Sequence, residues 1–347
     1  MRFLRKILHS LNPVGSFSKP ARLFLLAVIV DGVIYSAWQL FYNFFILSRG
    51  FDRNYLGLVN AAPSIAGMLL GIPLGLLSDR LGRRKAMLLG LVASTLGMGI
   101  QLLVLDPGVI FFMALVAGAG NMLYIVSQAP FMMKTSTPEN RALLFSLQYG
   151  LSTLAGSVGN LFAGQLPDLF QRLLGIAPNS TGSYQAVLMV AVVMGSLSLL
   201  PIGLLREPAD PEPAKPDQPR ESIRAIIARP RVIQLYLPNF VIGFGAAILI
   251  PYLNVFFAER HSLSDQSLGA LFSLSALLTG VGCLIGPSLA RLLKSKIKTV
   301  VITQSLSLGF LLAIGFSPAI WLAELGFLMR ATLMNMAQPL YTAFAME

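Results

Sequence analysis

The sequence predicts an all-α membrane protein built as two pseudo-symmetric helical bundles, and three observations carry that prediction. The first is composition: 55% of the 347 residues are hydrophobic and only 12% are charged, whereas soluble domains carry about 25% charged residues. Ten runs approach the roughly 20 apolar residues that a helix needs to cross the hydrocarbon core of a bilayer. The second is the way Lys and Arg collect in alternate loops. The third is a weak internal repeat.

Taken in order, the chain opens on a basic, amphipathic stretch, Met1 to Ser10, with no small-residue cleavage site after a compact apolar core. It reads as an interfacial helix within a cytoplasmic segment, 1–21, and not as a cleaved signal. Six spanning helices follow at 22–47, 54–77, 86–105, 109–133, 142–166 and 184–205, forming a first bundle over 22–205. From Arg206 to Arg220 proline and charge dominate, so 206–231 reads as a solvated cytoplasmic linker, with a short surface helix expected over Ser222 to Arg229. Four more helices are expected at 232–257, 266–289, 299–316 and 319–343, within a partial second bundle over 232–347.

Orientation follows from the loops. Twenty-one of the 26 Lys and Arg residues fall on the face that takes the N-terminal tail, the turn at Arg80 to Lys85 and the linker; only Arg49, Arg53, Arg172 and Arg260 fall on the other. Cytoplasmic loops carry the excess of basic residues, so the N-terminus is expected inside the cell membrane. The repeat shows at a shift of 211 residues, which places Gly32 on Gly243, Asn43 on Asn254, Phe45 on Phe256, Gly75 on Gly286 and Arg80 on Arg291. Two parallel repeats joined by a linker are one architecture of secondary transporters.

Composition also excludes several functions. The net charge of +11 lies in short segments between apolar runs and not in a basic patch on a solvated fold, which argues against nucleic-acid binding. One cysteine, Cys283, and two distant histidines, His9 and His261, leave no disulfide framework and no metal cluster. No phosphate-cradling G-x-x-x-x-G-K-[ST] stretch, His-Glu-x-x-His or paired midplane aspartates occur, so neither a cofactor nor an enzymatic activity is expected. The expected partners are a small-molecule solute, a coupling proton and the lipid bilayer, with the chain acting as a monomer.

The organising feature is the turn from Gly71 to Lys85, where an apolar run meets Asp79, Arg80, Arg83, Arg84 and Lys85 before a second apolar run begins at Ala86. Such charge cannot sit in hydrocarbon and marks a hairpin at a membrane face. Gly75, Asp79, Arg80, Gly82, Arg83 and Arg84 match the pattern G-x-x-x-D-[RK]-x-G-[RK]-[RK] at every specified position. In this the chain resembles the major facilitator superfamily, as it does in the Pro138–Arg141 turn after helix four, the worn copy of the motif over Gly286 to Lys294, and the linker after helix six. The resemblance implies a fold of twelve helices in two six-helix bundles. The chain ends at Glu347 with four of the expected six in its second bundle, and reads as lacking two. It departs from many drug antiporters of the family in having no Gly-Pro pair in helix five, and from many proton-coupled members in having no arginine in helix four. The resemblance also implies a latch in which Asp79 and Arg83 hold the two halves together through the N-terminal end of helix eleven. Gly75 is expected to allow close helix approach and Gly82 a turn with positive φ.

Asp31, Glu324 and Arg330 are the ionisable residues within apolar runs. A charge near the bilayer centre costs about 2.5–3.5 kcal/mol on insertion scales, so such residues face a cavity or a partner. Asp31 and Arg330 both fall near mid-depth, whereas Glu324 is expected near the outer interface. The resemblance implies that helices one, four, seven and ten line a central cavity, where the two form a coupling or substrate-binding pair. The alternatives are a structural salt bridge, or an Asp31 that is simply hydrated. Tyr35, Trp38 and Tyr42 share one face of helix one with Asp31. Asn121, Tyr124 and Gln128 share a face of helix four, and Arg330, Met334 and Tyr341 one of helix ten, where a shift of 214 residues places Asn121 on Asn335. Asn239, Tyr252 and Asn254 in helix seven form no single stripe. Such polar stripes line a pathway or make interhelical hydrogen bonds. The function that fits is secondary active transport of a small solute by alternating access, as proton-coupled efflux. Proton-coupled uptake of a metabolite or anion, and a non-transporting sensor or scaffold of the same fold, are the alternatives.

Overall fold

A computed structural model describes residues 17–206 and 230–336, and no strand occurs among them. The first bundle comprises α1 (Lys19–Ser48), α2 (Arg53–Leu81), α3 (Arg83–Leu103), α4 (Pro107–Thr135), α5 (Pro138–Leu174) and α6 (Thr181–Ser196), the last continued by a short helix, Leu199–Gly203. The second begins with α7 (Pro230–Leu249), a 3₁₀ turn (Ile250–Tyr252) and the helical segment Leu253–His261. It goes on through α8 (Asp265–Leu292), α9 (Lys296–Phe316) and α10 (Ile320–Met336). Each of the ten expected helices is there. The interfacial N-terminal helix, the linker with its surface helix and Tyr341 lie outside the described residues.

Among the described residues, eight spans are long and apolar enough to cross a membrane. Helix α5 falls short because Ser, Thr, Gln, Asn and Gly dilute its apolar run, and α10 because its described part has 17 residues. Large apolar side chains such as Met68, Leu103, Phe162, Phe244 and Phe316 stand exposed on many of the helices, the surface expected of a multi-pass membrane protein.

Loop chemistry sets the helix starts. Asp52, Asp106, Ser180 and Ser264 each accept a hydrogen bond from the backbone N–H three residues on, satisfying donors that a helix N-terminus leaves free. Pro138 opens α5 at a position where its missing N–H is no loss. The Pro138–Arg141 stretch is therefore the first turn of α5 and not a loop before it.

Two apolar cores divide the molecule along its length. Near the charged turn, Phe24, Met87, Tyr124, Phe131 and Ile202 pack together, and every residue of that core belongs to the first bundle. At the distal end, Phe41, Phe45, Leu56 and Val187 of the first bundle pack with Phe257, Leu268 and Phe327 of the second. Helix α5 crosses α8 so closely that a Cβ on Gly269 would sit 2.7 Å from both the Gly164 Cα and the Asn160 carbonyl oxygen. Backbone atoms cannot give way as a side chain can. Gly269→Leu is therefore expected to force α5 and α8 apart, destabilising the protein by about 3 kcal/mol or more; a thermal melt of the purified protein would register the change.

Candidate functional site

Helix α1 builds the site. Asp31 lies near the middle of this 30-residue helix, and Tyr35, Trp38 and Tyr42 follow at helical spacing on the same face. Together they form one wall of a cavity of about 280 Å³. Trp38 and Tyr42 stack at 4.6 Å between ring centroids and 20° between planes. The Tyr42 hydroxyl donates to Gln101 of α3, whose own amide donates to the Gly97 carbonyl at 2.9 Å. Gln39 donates to the Tyr35 hydroxyl at 2.8 Å. The opposite walls bring Asn60 and Ser64 from α2, Ser94 and Thr95 from α3, and Asn121 from α4. Asp31 makes no hydrogen bond or ion pair with any described residue. Among the described residues, the cavity therefore presents a neutral polar lining around a single partnerless carboxylate.

Its distal roof is a cluster of three asparagines. Helix α7 breaks at Ile250–Tyr252, where Pro251 lacks an N–H to continue the helical ladder. Asn43 of α1 donates to the Pro251 carbonyl at 2.5 Å and to the Asn254 side-chain oxygen at 2.9 Å. Asn254 in turn donates to the Leu40 carbonyl at 2.8 Å, and Asn60 donates to Asn43 at 2.9 Å. Asn43 is 4% exposed and Asn254 2%, so these bonds form away from water. Other hydrogen bonds between the bundles join Arg53 to Glu259 and Tyr184 to Asp265 at the distal end, and Ser157 to Ser273 further in. At the same end Arg49 stacks over Phe45 and donates to the Gln101, Leu102 and Val104 carbonyls, clasping the C-terminus of α3. Partial burial pulls the Arg49 guanidinium below its usual range.

The charged turn is tied to its neighbours in the first bundle. Gly82 has φ +83° and serves both as the C-terminal cap of α2 and the N-terminal cap of α3, a conformation that favours glycine. Arg83 pairs with Asp79 and donates to Ser78 at 2.9 Å; Ser78 bonds Ser127 of α4 at 2.7 Å. Arg84 donates to the Gly203 carbonyl after α6. Gly75 differs from expectation: a Cβ there would meet no atom of the described residues within 4 Å. Close helix approach is made elsewhere, at Gly164 and Gly269.

The family model of the Major Facilitator Superfamily matches residues 23–347. The chain belongs to the Major Facilitator Superfamily. No curated protein matches it in sequence. Among solved structures, a bacterial homologue of the human lysosomal transporter Spinster, in an inward-facing unoccupied conformation, superposes with a TM-score of 0.73 at 16% identity, over 93% of this chain and 74% of that one. A variant of the nucleoside transporter NupG gives 0.71 at 14%, over 94% and 82%. A variant of the E. coli fucose:proton symporter FucP gives 0.65 at 14%, over 94% and 83%. These similarities establish the fold.

Within this superfamily member the expected site residues divide. Asp31, Tyr35, Trp38, Tyr42 and Asn121 line one cavity. Tyr124 is packed in the core near the charged turn with its hydroxyl unpartnered, and Gln128, further along α4, accepts from Gln148 of α5 at 3.2 Å. Asn335 donates to its own helix at Ala331, 2.8 Å away, and its carbonyl accepts from Cys283. Arg330 is half-buried outside the cavity, and no ion pair joins it to Asp31. The lining comes chiefly from α1, α2, α3 and α4, with α6 and, from the second bundle, Pro251; α10 contributes none of it. Asn254 serves the roof and not a wall, and the Asn239 side chain lies outside what the structure describes. Residues that sequence reasoning passed over are Gln39, Asn60, Ser94, Thr95 and Gln101. The signal for Asn43 and Asn254 was present, since the repeat register aligns them.

Proposed function

We propose that this protein is a proton-coupled secondary transporter that exports a small solute across the cell membrane by alternating access. Membership of a transporter family supports the general activity. The observation that carries the finer reading is the partnerless Asp31 carboxylate inside a closed-ended cavity of solute size. Burying it charged is unfavourable, so it binds a proton or a cation from one side and releases it on the other. The distribution of basic residues supports a cytoplasmic N-terminus and a cytoplasmic charged turn. With that orientation the asparagine roof closes the outer end. The aromatic face of α1 favours export of an amphipathic compound; uptake of an anion loses support because Arg330 is not in the cavity. The test is solute flux in proteoliposomes under an imposed pH gradient of either sign: export requires solute to move against the proton flow, and gradient-independent flux refutes coupling.

In the same reading Asp79 and Arg83 form part of a cytoplasmic latch. The Asp79 side chain is 57% exposed, so its ion pair contributes at most about 0.5 kcal/mol to stability. Asp79→Asn is expected to leave the thermal melt unchanged and shift the resting population toward inward-open. Cysteine-labelling rates at the two faces measure that shift, and equal rates before and after the substitution rule the latch out.

A further inference from the structure

The cavity also constrains what it carries. Among the described residues, Asp31 is the only one lining the cavity that bears a charge. The titratable groups in electrostatic reach of it are Tyr35 on its own helix and Tyr124 on α4. The described residues of α2, α3, α6 and the α7 break turn no ionisable side chain to the cavity, and Tyr149 on α5 lies outside its lining. An anionic solute would meet one fixed negative charge and, among the described residues, no cation. A neutral solute would leave the carboxylate uncompensated unless a proton came with it. Only a positive charge supplies the missing partner.

The shape of the wall adds the rest. Tyr35 lies one helical turn from Asp31 and Trp38 two, at axial separations of roughly 6 and 10 Å. Beyond them Tyr42 extends the stacked surface. Aromatic faces attract cations and planar rings alike. We propose that the cavity takes an organic monocation, an ammonium or amidinium joined by a short spacer to a planar ring, with its charge on Asp31 and its ring along Trp38 and Tyr42. Proton and cation then compete for one carboxylate. When the cation binds, the Asp31 O–H bond breaks, the proton leaves to water, and carboxylate and cation remain as a neutral pair. One proton is exchanged for one monocation, and the exchange moves no net charge.

This proposal rests on reading the cavity as a transport site, and the experiment separates the two. Calorimetric titration of the protein in lipid nanodiscs would use naphthylbutylammonium, with the alcohol and the carboxylate of the same skeleton as comparisons. The ammonium is expected to bind at least about tenfold more tightly than the alcohol, and the carboxylate not at all. As Asp31 takes up a proton at lower pH, ammonium affinity falls by up to about tenfold per pH unit, with one proton released per cation bound. Alcohol binding stays level. Asp31→Glu keeps the preference for the ammonium, whereas Asp31→Asn binds ammonium and alcohol alike. If the asparagine variant does not fold, the pH dependence of the unaltered protein decides alone. Carboxylate binding equal to that of the ammonium, or ammonium affinity independent of pH, overturns the assignment. Ammonium binding of the expected kind without flux in proteoliposomes instead refutes transport and leaves the ligand class standing.

Discussion

Asp31→Asn is expected to abolish proton-driven flux, reducing it to the level of liposomes without protein, while leaving the protein folded and somewhat more stable. The two effects have one cause. A carboxylate without hydrogen-bond or ion-pair partners among the described residues is held there at a cost of about 2.5–3.5 kcal/mol, which a neutral amide of the same shape lowers in part. The amide cannot bind and release a proton, so the coupling step disappears with the cost. Flux in proteoliposomes and a thermal melt on the same preparation read both halves of the prediction. Flux preserved in the variant would remove Asp31 from the mechanism. A melt that falls together with the flux would make Asp31 structural, since only a structural carboxylate stabilises the fold that it sits in.

The second large effect is expected at the roof. Asn254→Ala removes the acceptor of Asn43 at 2.9 Å and the donor to Leu40 at 2.8 Å. Hydrogen bonds between membrane helices contribute about 0.6 kcal/mol on average and up to about 1.7, and a buried amide left without its partner adds an unsatisfied group. About 2 kcal/mol against the distally closed state changes the ratio of closed to open by roughly thirtyfold. Spin labels at Gly50 and Ser262, on loops of the two bundles, would report the change as a second, longer distance. Asn43→Ala should act alike, and the double variant should fall short of the sum, because the residues share one bond. Strict additivity would mean that the two asparagines act independently and form no clamp. The exposed Arg53–Glu259 pair, with side chains 76% and 50% exposed, provides a contrast: breaking it is expected to change the distance distribution little.

The sequence alone specified a large part of this molecule. Ten helices fall where the apolar runs lie, because the bilayer demands a fixed length of apolar residues and leaves the backbone no other way to satisfy its polar groups. The hairpin at Gly82 was legible for a comparable reason: dense charge between two apolar runs has one place to go, and a glycine is what a positive φ requires. The family follows from that motif in that loop. Asp31 and the aromatic face of α1 were likewise legible, since they lie on one helix and follow its 3.6-residue period.

What escaped are relations between helices. Helical periodicity states that Arg330 and Asp31 each lie deep, but not that they lie apart; that depends on how α10 packs against α8 and α9, outside the cavity lining. Nor does it place polar residues of α2 and α3 in that wall, since Asn60, Ser94, Thr95 and Gln101 are interruptions in apolar runs until neighbouring helices are set beside them. Gly75 shows the opposite failure, a motif glycine that no described helix approaches closely, while Gly164 and Gly269 make the tight crossing that no motif marks. Asn43 and Asn254 stand between the two cases. The repeat aligned them as equivalents, but only the packed bundles bring the two equivalents face to face at the break in α7. A one-dimensional pattern fixes depth and facing, which are properties of a single helix in a bilayer. Contact between helices depends on crossing angle and distance, which all the side chains at an interface decide together.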